Sequence, residues 1–209
     1  MGGERAQARR LRAPLPLTTP FPSHPPSHAL ALTGAGSFVQ HDFIENMIHL
    51  NLTSVAEMTA LVLPYMLEDR QGAIVNISSA AGNMASGSPL LALYSSTKAA
   101  VDMLSRSLYY ELAGKGVHVE CQVPYFVCTK LSKIKKESLF NVSPETFAQS
   151  SLAAVGKNGP SFVPHWSHAL QDAVLQALPM DAQAYVQKSM HVGIQKAALR
   201  KAEKEKKPQ

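Results

Sequence analysis

The hydrophobic period of residues 43–123 switches from helical to strand-like twice in succession, and that order constrains the fold more than any other feature of this sequence. Phe43, Ile44, Met47, Ile48, Leu52, Val55, Met58, Leu61 and Val62 recur at spacings of three and four, which predicts a long helix over 43–67 with one broad apolar face. Pro64 falls in its last turn. The run AIVNI at 73–77 is short and β-branched and predicts a buried strand. A loop of small residues over 78–89 leads to a second helix over 94–113, with Val101, Leu104, Leu108 and Leu112 on one face and Gly114 placed to cap it. Val117, Val119, Cys121 and Val123 then alternate with His118, Glu120 and Gln122, the period of a second strand. Helices alternating with strands in this way define an α/β fold on a parallel sheet.

Composition supports a folded body and locates its charge. The chain is 45% hydrophobic and 17% charged, which excludes general disorder. The net charge of +5 suggests an anionic partner until it is divided along the chain. Residues 1–28 carry four arginines and one glutamate, and residues 188–209 carry seven basic and two acidic side chains. The body between them holds nine basic and twelve acidic residues, a net −3, so no nucleic-acid partner is expected. Six of the fourteen prolines lie in 1–28, which reads as a disordered leader. Residues 29–187 read as the folded domain and 188–209 as a basic, solvated tail. No uninterrupted apolar run reaches about 18 residues, so no bilayer-spanning helix is expected, although membrane association stays open. Cys121 and Cys128 have neither disulfide nor zinc-ligand spacing, and His165 and His168 lack further ligands, so no metal site is expected.

Tyr94 and Lys98 stand four apart at the start of the second helix and so share a face. An ammonium there favours a phenolate, the basis of acid/base work by a tyrosine. Both lie just beyond a strand and a serine-rich loop, where an open parallel sheet binds ligands at its carboxyl edge. Ser79 is within reach of the same point, and Asn51 is an amide inside an apolar helix, where it needs a partner. A serine hydrolase using Ser78 or Ser79 would need a GxSxG elbow, and the sequence has none.

These residues resemble the short-chain dehydrogenase/reductase family. Asn51 in HLNLTS, Ser79 in AIVNISSAAG, Tyr94 and Lys98 in YSSTKAAVD, and residues 124–129 in VPYFVCTKL occur in the family's order. The segments LVLPYM, GAIVNISS, SPETFA, PHWSHAL and QALP are similar to its microsomal very-long-chain 3-oxoacyl-CoA reductase and 17β-hydroxysteroid dehydrogenase branch, in which a Tyr, here Tyr125, replaces the usual Gly. The resemblance implies an incomplete Rossmann-like doubly wound parallel sheet and NADPH-dependent reduction of a long-chain 3-oxoacyl-CoA. It implies Tyr94 as proton donor, Lys98 lowering the Tyr94 pKa and holding the ribose, Ser79 on the substrate carbonyl, and Asn51 placing a water. Pro124, the Val127 backbone and Thr129 would hold the carboxamide.

It further implies the cytosolic face of the endoplasmic reticulum, and a homodimer or pairing with other elongation enzymes. Lys206 and Lys207, fourth and third from the end, are similar to a dilysine retrieval signal. The family's glycine-rich turn is matched only by Thr33-Gly34-Ala35-Gly36, and the fifteen positions from Gly36 to Asn51 cannot hold the βαβ units expected there. The chain therefore reads as the C-terminal part of a reductase behind an unrelated leader. A non-catalytic alternative is pairing with a full-length reductase through helices 43–67 and 94–113.

Overall fold

The computed structural model describes residues 41–205 except 130, 131, 133 and 135. The leader, the TGAG segment and Lys206–Lys207 lie outside the described residues. The first helical region consists of α1 (His41–Ile48), a π-helical turn (His49–Thr53) and α2 (Ser54–Asp69). Then come β1 (Gly72–Ile77), a short α3 (Ala80–Asn83), α4 (Ala92–Glu111) and β2 (Val117–Gln122). The chain ends with α5 (Pro144–Ala154), β3 (Ser161–Phe162), α6 (Trp166–Gln176) and α7 (Met180–Glu205).

The three strands lie parallel in the order β1-β2-β3, with Gly72 opposite Val117 and Ile77 opposite Gln122. Ile74, Leu112, Val117 and Val119 form the core between the sheet and its helices, joined by Val62, Leu63, Met66 and Leu67 of α2 and Leu108 of α4. A second cluster lies near the carboxyl ends of the strands, where Ala80, Met84 and Val123 meet Tyr125, Val163 and Leu175. Among the described residues β1 is an edge strand, and its Ala73 and Ile77 are exposed.

The structure differs from the sequence reading in several places, each with a physical cause. Pro64 stands inside α2 and the helix continues past it to Asp69, where Arg70 in the left-handed region ends it. Two of the three polar residues that alternate along β2, Glu120 and Gln122, are fully buried beneath the end of α5. Glu120 accepts from Gly156 N–H at 2.9 Å and from Gln122 Nε2 at 2.8 Å, and it pairs with His118 at 2.8 Å, so the burial leaves no lone pair stranded. The two histidines considered as metal ligands stand instead at the start of α6, where His165 accepts the Ser167 N–H as its N-cap. Position 188, where the tail charge begins, lies within α7. The region Asp42–Asp69 is also long and apolar enough to cross a membrane, which corrects the expectation drawn from uninterrupted runs. Its inner face is nonetheless a layer of the domain, packed on the sheet through Val62 to Leu67.

His168 gives the fold a pH dependence. Its ring is fully buried, and burial first and His165 second lower its pKa from 6.5 to about 4. Above about pH 6.5 both folded and unfolded chains keep it neutral. As the pH falls from there to about 4, the unfolded chain takes up a proton that the fold refuses, so stability drops by up to about 3 kcal/mol. Urea unfolding across that window should therefore fall less steeply in His168→Asn than in the unaltered chain.

Candidate active site

The carboxyl ends of β1 and β2 are tied together before any side chain is considered. Ser78 N–H donates to the Gln122 carbonyl and Ala80 N–H to the Pro124 carbonyl, both at 2.9 Å. This places Ser79, which follows β1, beside the segment that follows β2. Ser79 is extended and caps α3 by accepting the Ala81 N–H at 3.3 Å.

The α3 helix lies directly on α4. A Cβ at Gly82 would stand 2.6 Å from the Ala99 nitrogen and 2.8 Å from the Lys98 carbonyl carbon, so only glycine allows this approach. Ser78 Oγ adds a bond to the Lys98 carbonyl at 2.7 Å. The serine loop and the Tyr94–Lys98 turn are thereby fixed against each other at backbone level. The Ser79 side chain lies near the Tyr94 phenol and favours its phenolate.

Burial outweighs that influence and raises the Tyr94 pKa above its usual value. The Lys98 ammonium is not hydrogen-bonded to that phenol. Lys98 Nζ instead donates to the Ile77 carbonyl at 3.0 Å, and burial lowers its pKa, opposed by the Cys121 thiol. Cys121 is itself sealed in the core, with a thiol pushed up to about 12 chiefly by burial and next by Asp102.

Asn51 lies in the π-helical turn, an insertion that interrupts the regular ladder of the first helical region. Its Nδ2 donates to Thr97 Oγ1 at 3.2 Å and contacts Met47 Sδ at 3.0 Å. Thr97 Oγ1 in turn donates to the Tyr94 carbonyl at 2.8 Å. Asn51 thus reaches α4 beside Lys98 without touching its ammonium. Thr97 is a contributor that sequence reading missed, since a helical threonine carries no periodic signal, and Ser78, named there only as a hydrolase nucleophile, serves as a backbone tie.

The remaining candidates lie beyond β2. Val127 forms a parallel bridge with Val142, and its carbonyl accepts from Ser132 Oγ at 2.7 Å. Thr129 is exposed and exchanges hydrogen bonds with Ser132. Pro124 and Tyr125 are half-buried. Asn51, Ser79, Tyr94 and Lys98 therefore gather where α4 meets the end of β1, with residues 124–129 alongside. A phenol that keeps its proton, a hydroxyl beside it and an ammonium one turn away can hold a carbonyl oxygen and protonate it.

A parallel sheet flanked by helices, with this group at its carboxyl edge, is a Rossmann-like arrangement. The profile of the short chain dehydrogenases matches residues 31–139, more than half of the sequence, and the chain belongs to that family. It is 46% identical over 140 residues to the very-long-chain 3-oxoacyl-CoA reductase of Homo sapiens, an alignment covering 65% of this chain and 43% of that protein. It is 50% identical over 113 residues to the reductase of the same name from Anas platyrhynchos, covering 54% and 36%. The chain thus spans less than half the length of these relatives. Among solved structures, a short-chain dehydrogenase from Sphingobium yanoikuyae in complex with NADPH superposes with a TM-score of 0.57 at 25% identity, covering 68% of this chain and 57% of that one. A 7beta-hydroxysteroid dehydrogenase shares the fold with a TM-score of 0.65 at 20% identity, over 75% of this chain and 62% of that one.

Proposed function

We propose that this chain carries the proton-transfer part of an NADPH-dependent reductase that converts very-long-chain 3-oxoacyl-CoA to 3-hydroxyacyl-CoA during fatty acid elongation. The observation that carries the reading is the placement of Ser79, through the bonds of Ser78 and Ala80 to the β2 end and to Lys98, beside the turn of α4 that holds Tyr94 and Lys98. The names of the relatives supply the substrate class. By the same kinship the protein works at the cytosolic face of the endoplasmic reticulum. The reductase portion takes in α7 past residue 187, since His191 is buried and bonds the Pro89 carbonyl at 2.7 Å.

The donors and acceptors present fit a nicotinamide nucleotide. The Lys98 ammonium and Tyr94 phenol suit ribose hydroxyls, and the Thr129 hydroxyl with the Val127 backbone suits a carboxamide, with Pro124 shaping that turn. When bound, the nucleotide supplies the hydride that enters the carbonyl carbon. Ser79 holds the 3-oxo oxygen, and Tyr94 gives that oxygen its phenolic proton. The raised Tyr94 pKa keeps the proton on the phenol until the oxygen becomes basic enough to take it. Lys98 then favours the phenolate left behind, and Asn51 places a water from which the proton is restored.

A specific observation favours a second reading, a non-catalytic partner of a full-length reductase. Met58, Leu61 and Tyr65 form an exposed stripe on α2, and Met103 and Tyr110 one on α4. Such stripes are interface material. One experiment separates the two readings. The purified chain is titrated into NADPH while nicotinamide fluorescence is followed, and then given a long-chain 3-oxoacyl-CoA. Saturable binding with NADPH oxidation supports the enzyme. Neither response, with co-elution of a full-length family reductase, supports the partner.

A further inference from the structure

The segment after β2 is held from one side by α6, at two points one helical turn apart. The Tyr125 backbone N–H donates to His168 Nδ1 at 3.4 Å, and the Tyr125 hydroxyl donates to Asp172 Oδ1 at 2.9 Å. His168 and Asp172 are four residues apart, so both side chains face the same strand end. The His168 ring is fully buried and lies 5.8 Å from the Tyr125 ring, 6.2 Å from Phe147 and 5.5 Å from His165, centroid to centroid. The other side of the segment is fastened by the bond from Ala80 N–H to the Pro124 carbonyl, one residue from Ser79. A continuous set of contacts therefore runs from α6 through Tyr125 and Pro124 to the candidate active site.

We propose that His168 and Asp172 are positioning residues that fix the backbone of residues 124–127 through Tyr125, and so set where a nicotinamide carboxamide lies against Tyr94 and Ser79. This rests on the reductase reading, in which residues 124–129 hold the carboxamide. A glycine at 125 would leave that turn to its own backbone preferences. The tyrosine supplies a lever with a bond at each end, one to the main chain and one to the phenol. The phenol–carboxylate bond is charge-assisted and the stronger of the two. Burial and the neighbouring Asp172 both raise the Tyr125 pKa, so the phenol stays a donor. His168 stays neutral, as accepting at Nδ1 requires.

The test uses the whole chain and four variants. His168→Asn puts an amide oxygen close to the place of Nδ1, whereas His168→Gln puts it nearer Nε2. Tyr125→Phe and Asp172→Ala each remove the phenol bond at a half-buried position, the first keeping the ring that packs on the second cluster. NADPH affinity is read by fluorescence, and amide hydrogen exchange over residues 123–129 by mass spectrometry. His168→Gln, Tyr125→Phe and Asp172→Ala should each weaken NADPH by about tenfold, the worth of one good hydrogen bond. The last two combined should cost no more than either alone, and His168→Asn should retain most of the affinity. Exchange over 123–129 should quicken in the same order. Unchanged affinity and exchange, or His168→Asn as damaging as His168→Gln, would overturn the proposal. If the unaltered chain binds no NADPH, the reductase reading falls and takes the carboxamide clause with it. Exchange then decides the clamp: faster in His168→Gln but not His168→Asn supports it, and no difference removes it.

Discussion

Tyr94→Phe should lower turnover of a long-chain 3-oxoacyl-CoA by roughly a hundred- to ten-thousand-fold, the usual contribution of a positioned general acid. The substitution removes one hydroxyl and keeps the ring that packs at the start of α4, so the fold should be preserved. NADPH affinity should change by no more than about tenfold, because the phenol offers the nucleotide at most one hydrogen bond. Loss of rate without comparable loss of binding marks a group used in the transition state. The direction of the Tyr94 pKa adds a second signature. Burial holds the phenol protonated through the neutral range, so the reduction rate should stay level there and fall only in alkali as the proton leaves. A rate unchanged in Tyr94→Phe, measured by NADPH oxidation, would remove the proton-donor role and leave Ser79 and Lys98 without the group they surround.

The parts of this site that were legible in the sequence are those spaced by a single helix or strand. Tyr94 and Lys98 are four apart on α4, and the polar–apolar alternation of β2 announces a strand without its neighbours. The parts that were not legible depend on contacts between distant segments. Tyr125 and Asp172 are 47 positions apart, and neither residue carries a local sign that they meet. Glu120 and Gln122 show the same limit in the opposite sense. Alternation places them on the polar face of β2, but whether that face meets water depends on α5 and Gly156, some thirty positions downstream. The strand β3 has only two residues, too short for any period, and exists because the Pro160 and Phe162 carbonyls accept from Cys121 and Val123. The helix α3 has four residues and depends on the Ser79 cap. The Asn51 amide was legible as a residue needing a partner, but its partner, Thr97, was not.

The largest effect on stability should come from a methyl group far from the chemistry. Gly114 and Gly116 both hold the left-handed conformation in the turn from α4 to β2, with φ of +76° and +80°. A Cβ at Gly114 meets nothing within 4 Å, so Gly114→Ala should cost about 1 kcal/mol, the strain of the backbone alone. At Gly116 the same methyl would stand 2.0 Å from the Arg70 carbonyl oxygen and 2.5 Å from its carbon, and a backbone carbonyl cannot swing aside as a side chain can. Arg70 is itself left-handed, with φ of 50°, and closes α2 through a bond to the Met66 carbonyl. The two helix-to-strand turns are thus stacked, and the Gly116 carbonyl accepts the Gly72 N–H at 3.2 Å where the strands begin to pair. Pushing them apart shifts the start of the β1–β2 register and pulls Val117 from the cluster it shares with Ile74 and Leu112. Gly116→Ala should therefore destabilise by about 3 kcal/mol or more, well beyond the Gly114 value, since it adds lost packing to the same strain. Urea midpoints of the two variants, compared at constant slope, measure the difference. Equal midpoints would mean that the turns are not in contact and that the parallel pairing of β1 with β2 is set elsewhere.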